Sequence, residues 1–205
     1  MPYLHDIQPT ETDEQLVSLR MLATQEDIPI ITQEGIRFLA QIGKLIQAKD
    51  VLELGTAIGY TSIYLAKTLS CHVTTIERDL DMISLARSHI KASGVASHIR
   101  LLEDDALLVD PTTIGPFDLM FIDAAKAQSE HLFRKYQSRL RKGGVIVIDN
   151  LSFHGLHGKD DHSRPLTRLI GKIDSLNRFL LAQSDFDTTL HNIGDGMSVS
   201  IRKEE

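Results

Sequence analysis

Two carboxylates and an amide in the sequence have the residue types and positions of an all-oxygen cation site. Asp123 follows the apolar run at residues 117–122, and Asp149 and Asn150 follow the apolar run at residues 145–148. If these runs are neighbouring parallel strands, their carboxyl ends lie at one edge of the sheet and bring the three side chains together. Carboxylate and amide oxygens suit magnesium, manganese or calcium. The sequence therefore predicts a divalent-cation site made of Asp123, Asp149 and Asn150.

Lys126 is the candidate base at this site. It lies three residues after Asp123, about one helical turn further on, and is expected beside the cation. There the pKa of its ammonium group would be lowered, which would let Lys126 accept a proton. The alternative is a structural ion pair between Lys126 and Asp123. Asp123 and Lys126 are accordingly the candidate catalytic residues.

A second group of residues predicts a binding site for a cationic, adenosine-like ligand. Gly55 and Gly59 follow the run at 51–54 and let the backbone turn close to a ligand, although neither a GxGxxG pattern nor a P-loop is present. Glu53, Glu77 and Asp105 lie at three predicted strand ends, where Glu77 can accept the ribose hydroxyls and Asp105 an exocyclic amine. Such acids attract a sulfonium and repel a pyrophosphate. The alternative is that they are ordinary solvated strand-end acids.

The elements that would position these residues alternate along the chain. Short apolar runs at 51–54, 72–76, 99–102, 117–122 and 145–148 alternate with helical patterns at 60–69, 79–92 and 126–140. This alternation predicts an α/β fold with a parallel sheet and helices on both faces. The final runs, 188–193 and 197–201, are separated only by Gly194-Asp195-Gly196, which predicts an antiparallel hairpin. A further helical pattern follows Pro165, at 166–181.

We expect one domain over residues 1–205. Two helical patterns at 12–24 and 32–48 precede the first strand, and we expect residues 1–48 to pack on the sheet and cover the site. The single cysteine excludes an intrachain disulfide and a thiolate metal cluster. No apolar run is long enough for a membrane helix, and the first residues lack the features of a signal peptide, so a cytoplasmic protein with no membrane partner is expected.

The distribution of charge is uneven. The net charge is −6, which argues against a generic nucleic-acid binder. Residues 1–125 contain 9 Lys or Arg and 18 Asp or Glu, whereas residues 126–205 contain 13 and 10. The basic segment, residues 131–148, contains no acid and five cations: Arg134, Lys135, Arg139, Arg141 and Lys142. It is either a solvated helix end, where the dipole favours cations, or a surface for an anionic partner.

These motifs together resemble the cation-dependent O-methyltransferases, the class I S-adenosylmethionine family that includes the catechol and caffeoyl-CoA enzymes. The resemblance covers about residues 28–203 and rests on Glu-Leu-Gly-Thr-Ala-Ile-Gly-Tyr at 53–60, Ile-Glu at 76–77, Phe-Ile-Asp-Ala-Ala-Lys at 121–126 and Gly-Gly-Val-Ile-Val-Ile-Asp-Asn at 143–150. It implies a Rossmann-like, seven-stranded, mostly parallel sheet. It also implies S-adenosylmethionine and magnesium, or another divalent cation, as cofactors. We expect a homodimer.

Within this family, the chain is similar to the bacterial branch that methylates 5-hydroxyuridine at the wobble position of tRNA. The likeness lies at Ile28-Pro29-Ile30 and at residues 150–156, 172–177 and 194–196. The resemblance implies cofactor contacts for Ile31, Thr61, Glu77, Asp105, Ala106 and Asp123, a metal held by Asp123, Asp149 and Asn150, and Lys126 beside the acceptor oxygen.

Two departures from the family pattern are present. Asp104 stands where the family usually has Gly, which predicts a change in the local loop because Asp adopts unusual backbone angles less freely. Ala124-Ala125 follow Asp123 where catechol enzymes carry a bulky aromatic residue, and the chain has no Trp. Three functions stay open: a tRNA methyltransferase, a methyltransferase of small catechol-like or caffeoyl-CoA-like compounds, and a non-catalytic adenosine-binding module. The complete Asp123, Lys126, Asp149 and Asn150 set argues against the third.

Overall fold

The computed structural model describes residue 7 and residues 9–123, 128–152 and 164–204, with only the backbone for residues 164–166. The helices in this part of the chain are α1 Glu14–Gln25, α2 Gln33–Leu45, α3 Tyr60–Leu69, α4 Leu80–Ala92, α5 Ser129–Tyr136 and α6 Arg164–Leu181. The strands are β1 Asp50–Leu54, β2 His72–Glu77, β3 Ile99–Glu103, β4 Phe117–Ile122, β5 Leu140–Ile148, β6 Phe186–His191 and β7 Met197–Arg202. None of the described helices is long and apolar enough to cross a membrane.

The strands form one seven-stranded sheet in the order β3-β2-β1-β4-β5-β7-β6. Strands β1 to β5 are parallel, and β7 runs antiparallel to both β5 and β6. The predicted α/β architecture with a C-terminal hairpin is therefore confirmed. Because β1 pairs with β2 on one side and with β4 on the other, the strand order reverses at the carboxyl ends of β1 and β4. Open α/β sheets bind their ligands at such a reversal.

Each face of the sheet carries its own apolar core, as strands buried on both sides require. In β4, Leu119 and Phe121 pack with α1 to α4 on one face, whereas Met120 and Ile122 pack with α5 and α6 on the other. These four side chains are at most 1% exposed. The near-continuous apolar run at 117–122 is thus explained by two-sided burial, and it fixes the strand end that carries Asp123.

The two N-terminal helices pack on the first of these faces. Thr32 caps α2, since its Oγ1 accepts a hydrogen bond from Gly35 N at 3.0 Å. Arg20 on α1 donates to the Ile31 carbonyl at 3.2 Å and to the Tyr60 hydroxyl at 2.8 Å. These bonds tie α1 to the segment before α2 and to the first residue of α3. In the structure α1 and α2 belong to the apolar core on this face, and the expectation that residues 1–48 cover the site stays a prediction.

Two of the element boundaries that differ from those predicted follow from burial of an apolar side chain. The helix predicted over 126–140 is described only as α5, Ser129–Tyr136, followed by a 3-10 turn and by β5, which already begins at Leu140. Leu140 joins the sheet because it is buried and pairs with Phe117. The strand predicted at 188–193 begins two residues earlier, at Phe186, whose ring packs against Phe133 with centroids 5.0 Å apart. In both cases burial of one apolar side chain decides the boundary.

Candidate active site

The glycine loop, residues 55–59, connects β1 to α3 at the reversal of strand order. Gly55 and Gly59 have φ values of 100° and 86°, in the left-handed region that glycine adopts without steric cost. Gly55 N donates to the Ile76 carbonyl at 3.0 Å, which holds the loop against the end of β2. The two glycines are therefore required by the backbone geometry.

Glu77, the last residue of β2, organises this loop. Its Oε2 accepts hydrogen bonds from the backbone amides of Thr56 and Ala57, each at 3.0 Å. Its Oε1 accepts from Arg78 N at 2.9 Å and from Asp79 N at 3.0 Å. The sequence predicted that Glu77 would bind ribose hydroxyls, and the structure gives it a second task that is visible only in three dimensions. A ribose would therefore bind to the Glu77 carboxylate while that group also holds the backbone of the glycine loop and of the residues after β2.

A cavity of about 300 Å³ lies between the glycine loop and the ends of β2, β3 and β4. Its lining consists of Gly55, Glu77, Arg78, Asp79, Asp104, Asp105, Ala106, Asp123, Gln128 and Leu132. Five of the predicted cofactor residues are in this set: Gly55, Glu77, Asp105, Ala106 and Asp123. The other four, Ile31, Glu53, Gly59 and Thr61, do not line it. The lining is rich in carboxylates, as a site for a cationic ligand requires.

The sequence interpretation missed Arg78, which meets Asp105 at the cavity. Arg78 NH1 donates to Asp105 Oδ2 at 2.8 Å, and Asp105 Oδ1 accepts from Leu107 N at 2.8 Å. The backbone bond from Leu107, followed by the bond from Arg78, lowers the pKa of Asp105. Asp105 is thus held ionised. The only sequence feature that could have indicated Arg78 as a site residue is its position directly after the strand-end acid Glu77.

Asp104 does not disturb the loop as the sequence predicted. Among the described residues, those with positive φ do not include Asp104, so no glycine is needed at this position. Its backbone amide donates to the Glu77 carbonyl at 2.9 Å, and its Oδ1 accepts from Asp105 N at 2.7 Å. The side chain therefore stabilises the turn that carries Asp105.

Glu53 lies beneath the glycine loop and is 1% exposed. Its Oε2 accepts hydrogen bonds from Ser62 Oγ and Thr75 Oγ1, and Thr75 Oγ1 in turn contacts Thr56 Oγ1 at 2.6 Å. Its Oε1 is buried without a hydrogen-bond partner. Burial, with a smaller contribution from the nearby carboxyl of Asp123, raises the pKa of Glu53 to about 8.

The predicted direct contact between Glu53 and a ligand is therefore replaced by a buried role. Glu53 shares its face of β1 with Val51, so its side chain points into the core below α3 rather than into the cavity. Glu53 holds the hydroxyl groups of Thr75 and Ser62, and through Thr75 it supports Thr56 of the loop. The fit to a cationic ligand therefore rests on the carboxylates that line the cavity and not on Glu53.

The three residues of the predicted cation site lie at the ends of β4 and β5. Asp123 N donates to the Leu54 carbonyl at 3.0 Å, and Asp149 N donates to the Ile122 carbonyl at 3.3 Å. Each acid is therefore fixed by a backbone hydrogen bond to the end of the neighbouring strand. Asn150 Nδ2 donates to Asp123 Oδ1 at 3.0 Å, and Asn150 N donates to Asp149 Oδ1 at 2.7 Å. The three predicted side chains are therefore brought together.

The donor set of this cluster fits a hard divalent cation. Asn150 has φ 70°, a left-handed conformation that Asn tolerates, and this turns its amide toward Asp123. A 180° rotation of the amide exchanges its NH₂ for Oδ1, which completes an all-oxygen set with Asp123 and Asp149. Among the described residues no group of three or more His, Cys, Asp or Glu could hold a metal ion, and the third oxygen donor that this cluster offers is the Asn150 amide. Two further parts of the prediction, Lys126 and Ala124-Ala125, lie outside the described residues.

The basic segment is bonded within the chain rather than displayed as one helix end. It spans the end of α5, a 3-10 turn and β5. Its bonds run from Arg134 to Glu130, from Lys135 to the Leu107 carbonyl, from Arg139 to the Ile114 carbonyl, from Arg141 to Asp50 and Asp118, and from Lys142 to the Glu204 carbonyl. All five cations therefore have a structural partner.

Comparison with known proteins identifies the family. The model of the O-methyltransferase family matches residues 7–203, nearly the whole chain. The chain belongs to the O-methyltransferase family. It is an S-adenosylmethionine-dependent enzyme, as the motifs at the strand ends predicted.

Relatives of this O-methyltransferase extend over its full length. A catechol O-methyltransferase of Niastella koreensis is 30% identical over 215 residues, covering 98% of this chain and 95% of the relative. A crystal structure of a caffeoyl-CoA O-methyltransferase type protein from Staphylococcus aureus has a TM-score of 0.90 and 32% identity, covering 98% of each chain. The O-methyltransferase TomG from Streptomyces achromogenes, solved in complex with S-adenosylmethionine, has a TM-score of 0.81 and 27% identity, covering 98% of this chain and 94% of TomG.

Replacing Glu77 with Ala is expected to weaken binding of S-adenosylmethionine to this O-methyltransferase about ten- to a hundredfold. The substitution removes charge-assisted bonds worth roughly 1.5–3 kcal/mol and frees the amides of Thr56 and Ala57. Calorimetric titration of the folded variant measures the dissociation constant. Glu103→Ala is the matched control, because Glu103 ends the next strand but does not line the cavity. An unchanged affinity in Glu77→Ala would remove Glu77 from the site.

Proposed function

We propose that this O-methyltransferase depends on a divalent cation and methylates the 5-hydroxyl group of 5-hydroxyuridine at the wobble position of tRNA. The observation that carries the metal-dependent reaction is the position of Asp123. Asp123 lines the carboxylate-rich cavity and also contacts Asn150 in the three-residue oxygen cluster. A cofactor in the cavity and a cation in the cluster would therefore be adjacent, with Asp123 shared between them.

The residues divide the chemistry between these two sites. S-adenosylmethionine supplies the electrophilic methyl group, and a divalent cation, when bound, lowers the pKa of the acceptor hydroxyl. Asp123, Asp149 and Asn150 would hold the cation. Lys126 is proposed, from the sequence, to take the hydroxyl proton or to stabilise the developing oxyanion.

On the cofactor side, Glu77 and Asp105 would bind the ribose hydroxyls and the adenine amino group. Both carboxylates are already fixed by backbone amides, so little reorganisation accompanies binding. Their rigid placement orients the cofactor so that its sulfur, the methyl carbon and the acceptor oxygen can lie in line. Such orientation contributes a large part of the rate enhancement in bimolecular transfers.

The tRNA acceptor is supported by chemistry and by sequence. In 5-hydroxyuridine the hydroxyl at C5 neighbours the carbonyl at C4, so the base presents two adjacent oxygens to a cation, as a catechol does. Asp123 is followed by Ala124-Ala125 and the chain has no Trp, so no bulky side chain directly follows this acid. These features suit a large acceptor better than a clamp on a small flat ring.

A small catechol-like or caffeoyl-CoA-like compound is the second candidate acceptor. The relative from Niastella koreensis that covers 98% of this chain is named a catechol O-methyltransferase. The proposed cation chemistry is the same for vicinal hydroxyls on a benzene ring. The two candidates therefore differ in the acceptor surface and not in the reacting groups.

The deciding experiment measures methyl transfer to both acceptor classes. The enzyme is incubated with isotopically labelled S-adenosylmethionine, magnesium, and either tRNA that contains 5-hydroxyuridine or a panel of catechols and caffeoyl-CoA, and the products are identified by mass spectrometry. We expect label on the wobble nucleoside. Label only on the small compounds would overturn the tRNA proposal.

Removal of the cation is expected to abolish transfer without abolishing cofactor binding. A chelator is added to the same assay, and calorimetry follows S-adenosylmethionine binding in parallel. Activity should return when magnesium is added back, because the donor oxygens of Asp123, Asp149 and Asn150 are retained. Full activity in the presence of excess chelator would contradict the metal requirement.

A further inference from the structure

We propose that the exposed face of α6 beyond the sheet edge binds the phosphates of the tRNA acceptor. This inference rests on the proposed tRNA function and names the surface that would serve it. The surface, here called the α6 stripe, consists of Arg168, Gly171, Lys172 and Ser175. All four residues are exposed, and a methyl group built on Gly171 would meet no atom within 4 Å.

Because the five cations of the basic segment already have partners within the chain, cations elsewhere are better placed to bind an anionic ligand. Among the described Lys and Arg side chains, six have neither an ion pair nor a hydrogen bond: Lys44, Lys49, Lys91, Arg100, Arg168 and Lys172. The first four lie near the amino ends of the strands, at the end of α2, before β1, at the end of α4 and at the start of β3. The other two of these six cations, Arg168 and Lys172, lie on α6, away from the amino ends of the strands.

The position of α6 places this pair beyond the carboxyl edge of the sheet. Asn177 Nδ2 donates to the carbonyl of Leu151 at 3.4 Å, which sets Asn177 level with the end of β5. Lys172 and Arg168 precede Asn177 by five and nine residues, or about 7 and 13 Å along the helix axis. They therefore project past the edge that carries Asp123, Asp149 and Asn150.

In the part of the chain that the structure describes, no acid lies within the α6 stripe. Arg168 and Lys172 are four residues apart on one helix face, so their side chains are neighbours. Asp174, the acid within this part of the helix, is bonded to Arg178 at 2.8 Å on the adjacent face. Among the described residues these two cations have no partner, and with the exposed Gly171 between them they make a surface suited to phosphate oxygens. The Ser175 hydroxyl beside them donates to the Gly171 carbonyl at 2.8 Å.

The positive charge of the α6 stripe is complementary to the phosphates of RNA. A catechol carries no phosphate, whereas an acceptor nucleotide in tRNA has phosphates on both sides and requires contacts outside the catalytic cavity. Because the overall net charge is −6, a tRNA must approach through a local basic surface. The α6 stripe provides such a surface on the same side of the molecule as the candidate site.

The test is the double substitution Arg168→Gln and Lys172→Gln. The matched control is Lys44→Gln with Lys91→Gln, which removes the same charge from unpaired cations at the opposite edge. Binding of tRNA is measured over a range of salt concentrations, together with methylation of tRNA, of the free 5-hydroxyuridine nucleoside and of caffeoyl-CoA.

For the α6 double variant we expect roughly ten- to thirtyfold weaker tRNA binding at low salt, and a salt slope reduced by about one unit for each lost phosphate contact. Binding of S-adenosylmethionine and methylation of the free nucleoside should be unchanged, and the control should behave as the wild-type enzyme.

If the wild-type enzyme methylates tRNA and the α6 variant binds it equally well, the surface proposal fails while the function stands. Loss of caffeoyl-CoA methylation without loss of tRNA binding would also overturn it, in favour of a small phosphate-bearing acceptor. A wild-type enzyme inactive on tRNA would overturn both proposals.

Discussion

Substitution of Asp149 by Ala is expected to lower kcat by about three orders of magnitude while leaving the affinity for S-adenosylmethionine within a few-fold of the wild-type value. Asp149 does not line the cofactor cavity, but its Oδ1 accepts from Asn150 N within the oxygen cluster. A catalytic cation contributes several kcal/mol of transition-state stabilisation, and each 1.4 kcal/mol corresponds to a tenfold change in rate. Loss of one of three ligands should remove most of this contribution.

Steady-state kinetics at saturating magnesium and calorimetric titration of the cofactor measure the two effects separately. Asp149→Asn is the companion variant, because it keeps the shape of the side chain and removes only its charge. Asp123→Ala should weaken both turnover and cofactor binding, since Asp123 belongs to the cavity and to the cluster. Substantial activity of Asp149→Ala at saturating magnesium would show that the three-residue cation site is wrong.

Substitution of Glu53 by Gln is expected to make the ligand-free protein progressively more stable than the wild type as the pH rises from 5 to 8. In the folded protein burial raises the pKa of Glu53 from its ordinary value of 4.5 to about 8. Between these two values unfolding releases a proton, so the contribution of Glu53 to the free energy of unfolding decreases as the pH rises. The decrease is about 1.4 kcal/mol per pH unit, and at most about 4 kcal/mol over this range.

Gln is the suitable replacement because its amide oxygen can still accept the hydrogen bonds of Ser62 and Thr75. Urea unfolding of both proteins at pH 5, 6, 7 and 8 measures the difference in free energy. Glu103→Gln, at the exposed end of β3, is the control and should show no such divergence. Parallel stability curves for Glu53→Gln and the wild type would mean that Glu53 is already ionised in the folded protein.

Several features of the fold were predictable because they depend on local sequence. The run at 117–122 is apolar at nearly every position, and a strand covered on both faces requires this pattern. The short Gly194-Asp195-Gly196 connection excludes a crossover helix and so predicts the antiparallel hairpin. Acids placed directly after such strands, including Asp123 and Asp149, must share one edge of a parallel sheet. The sequence therefore indicated which acids would lie together at this edge of the sheet.

The environment of each site residue was decided only by tertiary structure. Whether Glu53 reaches a ligand depends on which face of β1 it occupies and on what covers that face, namely Ser62 of α3. The cations of the basic segment are contiguous in sequence, but Arg141 finds Asp50 and Asp118, which lie far away along the chain.

The same reason explains the remaining differences. The contact between Arg78 and Asp105, and the projection of Lys172 past the sheet edge, both involve residues from elements distant in sequence. Charge and hydropathy patterns report what a short segment prefers, and they carry no information on which distant group will desolvate or neutralise a given side chain. Burial and pairing are set when helices and strands pack, so they determine which acids can bind a ligand and which cations stay available to a partner.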